Sequence, residues 1–163
     1  MRWAWSWILV PAPAILGFAT AACCPMTRAA GSGVPFRPPP IVFGVVWPVL
    51  YGLLGYSSHL AALSRDPARL ALHLAISLAL AGWLVLDSCM RRVKEGVWLM
   101  AATALACCYA IALDRGRTTA LLLMPLAAWL SFATLMSAFR TTPAAVDRLG
   151  IAGSHKTESS TDR

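Results

Sequence analysis

Apolar residues fill five long runs of this chain, and the charged residues fall almost entirely between them. The runs cover about residues 3–24, 41–63, 70–90, 96–113 and 118–139. Each is close to the roughly 20 residues a helix needs to cross the hydrocarbon core of a bilayer. Charge confined to the connections is what a membrane-spanning chain requires, because a charged side chain facing lipid is costly. The pattern predicts an all-α fold, an integral membrane bundle of five transmembrane helices over residues 1–140. From 141 to 163 the composition turns to Thr, Ser, Asp, Lys and Glu with no apolar period, which predicts a disordered polar C-terminal tail.

The first run has a second reading. Arg2, a hydrophobic centre and Ala19-Thr20-Ala21-Ala22 also fit a cleavable secretory signal. Its length and the early Pro11 and Pro13 favour a retained helix. Trp3, Trp5 and Trp7 at its start read as an interfacial aromatic belt. The connection 25–40 is the longest inside the chain and carries Gly31, Gly33 and four prolines from position 35 onward. A loop of that length in a small bundle is often functional, here as a lid.

Composition supports the membrane reading. Hydrophobic residues make up 58% of the 163 and charged ones 13%, more apolar surface than a soluble domain of this size can hide. The net charge of +7 resides in short connections without a base-stacking aromatic face, so nucleic acid is not an expected partner. Arg2, Arg65, Arg69, Arg115 and Arg117 fall on one side of a five-span topology. Arg28, Arg37, Arg91, Arg92, Lys94, Arg140, Arg148, Lys156 and Arg163 fall on the other, which the positive-inside rule places in the cytosol with the C-terminus.

Little in the chain points to conventional catalysis. No nucleophile–base–orienter set, paired carboxylates or phosphate-cradling loop is present, so no catalytic residue is assigned. Cys23, Cys24, Cys89, Cys107 and Cys108 lie in apolar runs without C-x-x-C spacing, so neither a disulfide framework nor a metal site is expected. Asp87 is the lone carboxylate inside a span. Arg91 follows it at i+4, which predicts an interfacial ion pair. His73 and Ser77 share a helical face and fit interhelical hydrogen bonding or a proton or ligand contact, and His59 is similarly open.

The aromatic residues carry more information. Gly44, Trp47, Tyr51 and Gly55 recur at helical spacing in the second run, joining two rings and two bare backbone patches on one face. Trp47, Trp83 and Trp129 lie well inside their runs, where rings either fill space or form a box for a flat hydrophobic ligand. Ala133 and Ser137 follow Trp129 at i+4 and i+8 and leave room beside it.

These residues also carry a resemblance. Pro38, Pro39, Phe43, Gly44, Trp47, Leu50, Tyr51, Gly55 and Tyr56 form PPxxxFGxxWxxLYxxxGY, and Pro125, Ala128, Trp129, Leu130, Phe132, Ala133 and Thr134 form PxxAWLxFAT. Both resemble motifs of the tryptophan-rich sensory protein and translocator protein (TspO/MBR) family, the peripheral benzodiazepine receptors. The resemblance implies a five-helix bundle that often dimerises, enclosing a pocket below the first loop. It implies no required cofactor, with porphyrins such as protoporphyrin IX or haem, and in many members cholesterol, as ligands. It further implies roles in tetrapyrrole regulation, transport or stress response, in a bacterial inner membrane or a mitochondrial outer membrane. The implied ligand-binding positions are Phe43, Val46, Trp47, Tyr51, Trp83, Trp98, Trp129, Phe132, Ala133 and Met136, with Phe36, Pro38 and Pro39 in the lid. A porphyrin-degrading enzyme and a membrane scaffold without a small-molecule ligand are the alternatives.

The chain departs from the family in its third helix. An Asn-Trp pair followed by a second Trp and prolines is usual there, whereas this chain has Gly82-Trp83 followed by Val85, Leu86 and Asp87. The Tyr of the sterol motif late in the fifth helix is replaced by Ala138, ahead of Phe139-Arg140.

Overall fold

A computed structural model describes residues 5–25 and 34–141. The proposed tail from 142 onward, Trp3 and the middle of the first connection lie outside the described residues. Five helices are long and apolar enough to cross a membrane, and no strand occurs among the described residues.

The first span is not one continuous α-helix. Trp5–Leu9 is a 3-10 turn, and α1 runs from Ala12 to Cys23. Pro11 and Pro13 explain the break, since neither can donate the backbone bond that would continue the preceding turn. Prolines then set the start of α2, Pro40–Leu63. Pro39 is extended and Pro40 occupies the first helical position, where its missing N–H costs nothing. In α3, Pro67–Leu84, Asp66 caps the start by accepting from the backbone N–H groups of Ala68 and Arg69 at 3.1 and 3.3 Å. The Arg69 N–H, foremost, holds the Asp66 carboxyl below its ordinary range. α3 therefore begins three residues before the apolar run. Val93–Leu113 forms α4 and Thr118–Arg140 forms α5.

The third span ends in a π-helical turn, Val85–Cys89, followed by Arg91 in the left-handed region at φ 54°. That wider turn changes the expected spacing. Asp87 does not pair with Arg91; it lies 3.2 Å from Nη1 of Arg140 at the end of α5. Cys89, in the same turn, is disulfide-bonded to Cys24 just past α1, with Cα atoms 5.1 Å apart. This overturns the expectation that the cysteines form no disulfide. A 65-residue separation hides the pairing from any reading of local spacing.

Going round the bundle, each helix packs on the next in the order α1, α2, α5, α4, α3 and back to α1, with α2 also against α3. Leu54, Ile76, Met100, Leu123 and Leu130 fill the shared core. Two glycines permit the tightest contacts. A Cβ at Gly55 would collide with the Val10 carbonyl, and one at Gly17 would overlap the Tyr51 ring. At Gly44 a Cβ would meet open space, so only Gly55 of the expected pair is needed bare.

Polar groups tie the end of the bundle near the 64–66 and 114–117 connections. Arg69 joins Asp66 at 2.9 Å and also pairs with the buried Asp114. His73 Nδ1 lies 2.8 Å from the Arg69 carbonyl, which only accepts, so Nδ1 donates. In the neutral ring Nε2 then accepts from the Ser57 hydroxyl, 2.8 Å away, which links α2 to α3. Ser77 donates to the His73 carbonyl, and the His59 ring lies 4.3 Å from that of Trp7, tilted by 31°. These polar side chains thus serve helix packing.

Candidate functional site

At the opposite end of the bundle, α1, α2, α3 and α5 enclose a cavity of about 340 Å³. Helical periodicity builds its walls. On α2, Phe43, Trp47 and Tyr51 succeed one another at i+4, so three rings line one side. On α5, Trp129, Ala133 and Met136 follow one another at i+4 and then i+3 and line another side, the small Ala133 leaving space beside the indole. Trp83 and Leu84 close the α3 side, and Gly17, Phe18 and Ala21 close the α1 side.

Trp47 is the centre of the ring arrangement. Its ring centroid lies 5.4 Å from that of Tyr51, 6.1 Å from Trp83 in near-parallel stacking at 23°, and 6.4 Å from Trp129 edge-on. Phe43 meets Trp129 at 5.6 Å, and Phe18 meets Tyr51 at 5.8 Å. The Trp83 and Trp129 indole N–H groups are buried without an acceptor among the described residues. In Trp83 that edge lies against Gly96 of α4.

Polar groups gather at one end of the cavity. Arg37 enters from the connection before α2, its guanidinium carbon 5.9 Å from the centroid of Phe43. Ser137 and Arg140 lie one turn apart at the end of α5. The arrangement can enclose a flat apolar body while offering cationic donors at its edge.

Of the positions expected from sequence, Phe43, Trp47, Tyr51, Trp83, Trp129, Ala133 and Met136 line this cavity. Val46 and Phe132 do not. With Pro38, Val45, Val49 and Pro125 they line an open apolar groove between α2 and α5 on the outside of the bundle. Trp129 belongs to both and forms the wall between them. Trp98 lies away from the cavity on α4, 76% exposed, because α4 packs on α3 and α5 and sends this side chain outward. Phe36 rests edge-on against Phe132 at 6.3 Å and Phe139 at 5.5 Å, while Pro39 is exposed. Neither touches the cavity; in the described part of the proposed lid, that role falls to Arg37 and Pro40.

Gly17, Phe18, Ala21 and Leu84 were missed as wall residues because neither α1 nor the end of α3 carries a motif. Arg37 and Arg140 read as topology signals, since a basic residue beside an apolar run is the ordinary mark of a membrane boundary.

The TspO/MBR family model matches residues 9–140, from the 3-10 turn to the last residue of α5. The chain belongs to the TspO/MBR family. A search of curated proteins finds no match to it. TspO/MBR membership and the five apolar helices make this an integral membrane protein and support a receptor- or transporter-like role.

Proposed function

We propose that this TspO/MBR protein is a membrane receptor or carrier that holds a porphyrin, such as protoporphyrin IX or haem, in the cavity between α1, α2, α3 and α5. The observation that carries the reading is Trp47, in contact with Tyr51, Trp83 and Trp129 around an apolar space of about 340 Å³. That volume falls at the lower end of the usual range for small-molecule sites, about 300–1,000 Å³. Rings from three helices grip a flat ligand by stacking and edge contacts, and the geometry favours planar over bulky bodies. A lining without a carboxylate, His or Cys suits retention of a ligand more than acid–base turnover. The lost Tyr at position 138 favours porphyrin over sterol as the ligand. The protein would act as a homodimer, with the C-terminal face in the cytosol by its Lys/Arg excess.

Titration of the detergent-solubilised protein with protoporphyrin IX, followed by quenching of tryptophan fluorescence, tests the reading. Saturable quenching is expected. Trp47→Ala and Trp129→Ala should each weaken apparent affinity by about fivefold or more. Non-saturable quenching equal to that of free indole in micelles would remove the porphyrin assignment.

A further inference from the structure

The polar end of the cavity carries more charge than a hydrophobic ligand needs. Arg37 and Arg140 both line it, and Ser137 adds a buried hydroxyl. Among the described residues Arg37 makes no ion pair. Arg140 has one carboxylate partner, Asp87. The Asp87 side chain is 3% exposed and that of Arg140 18%, so the pair is partly shielded from water. Two guanidiniums against one carboxylate leave a local charge of +1 at the edge of an apolar space.

The contact geometry leaves Arg140 with spare capacity. It reaches Asp87 through Nη1 alone, at 3.2 Å to Oδ1 and 3.5 Å to Oδ2, instead of a two-nitrogen fork. A guanidinium has five N–H donors, so Nη2 and Nε remain for a second carboxylate. Asp87 holds Arg140 at the cavity edge and partly neutralises it. It is therefore a positioning residue. The wider π turn brings Asp87 to α5, and the adjacent Cys24–Cys89 bond ties that turn to α1.

We infer that this cavity selects ligands bearing a carboxylate on the edge of a flat apolar body, with Arg140 as the anchor, Arg37 as a second cation and Asp87 setting the strength of the preference. The inference rests on the cavity being the ligand site. It adds that the ligand's acid group, and not only its apolar body, is recognised. A neutral ligand of the same shape would leave an uncompensated positive charge in a poorly screened place.

Protoporphyrin IX and its dimethyl ester have the same ring and differ in that the ester cannot ionise. Each is titrated against the full chain in neutral detergent, with partition into empty micelles subtracted, and the ratio of the two affinities is read. The wild-type protein should prefer the diacid by about tenfold or more. Arg140→Gln should bring the ratio close to one, and Arg37→Gln should lower it less. Asp87→Asn removes the competing carboxylate and should raise the ratio, whereas a purely structural role for Asp87 would weaken both probes together and leave the ratio unmoved. Equal binding of both probes, or a wild-type ratio retained in Arg140→Gln, overturns the inference while the cavity reading stands. If neither probe binds saturably, the cavity reading itself fails and takes this inference with it.

Discussion

Trp47 touches three other rings because it sits one turn before Tyr51 and faces α3 and α5 across the cavity. Trp98 has the same side chain, near the start of the fourth apolar run, yet it is 76% exposed. This contrast yields a prediction. Trp98→Ala should leave the affinity for protoporphyrin IX within about twofold, whereas Trp47→Ala weakens it several-fold. A loss at Trp98 equal to that at Trp47 would place the ligand outside the bundle. Seven of the ten ligand-binding positions expected from sequence line the cavity, and they are those on the inward stripes of α2, α3 and α5. Val46 and Phe132 fall on the flanks of those stripes, a distinction of one helical step that apolar composition does not mark. The partners of Asp87 and of the bonded cysteines were not legible for a different reason. Both depend on contacts between residues 53 and 65 positions apart, and on a π turn that local spacing does not announce.

Among the elements, α2 does most to organise the bundle. It packs on α1, α3 and α5, supplies three rings to the cavity, and admits the N-terminal turn through Gly55. The two glycines of its motif are physically different. Gly55→Ala drives a methyl into the Val10 carbonyl, an overpacking against backbone that typically costs about 1–3 kcal/mol. Gly44→Ala meets nothing and gains helix propensity. Thermal unfolding in detergent should therefore show a clearly lower midpoint for Gly55→Ala and an equal or higher one for Gly44→Ala. Equal loss in both would mean that Gly44 is covered by a partner, as in a dimer. The spans themselves were legible because twenty apolar residues without charge have few other uses. Their ends were less so: Asp66 begins α3 early, and Pro11 and Pro13 divide the first span, effects of single residues on backbone bonding.

For the whole molecule, the two ends divide the work. One holds the ties through Arg69, Asp114, Ser57 and His73; the other holds the cavity, its basic edge and the Cys24–Cys89 bond. Two signals bear on which way this second end faces, and they disagree. The expectation from the Lys/Arg excess is a cytosolic face, where thiols are kept reduced, whereas the Cys24–Cys89 bond fits an oxidising side. The Cys24–Cys89 bond ties the end of α1 to the π turn that carries Asp87. The cavity does not depend on which side this end faces, since its rings come from helices already packed in the core. Its occupancy is tested most directly by the structure of the protein bound to protoporphyrin IX. The porphyrin plane should lie among Trp47, Trp83 and Trp129 with a carboxylate toward Arg140. A porphyrin seated instead in the outer groove against Val45, Val49 and Pro125, with the inner cavity unfilled, would contradict the account.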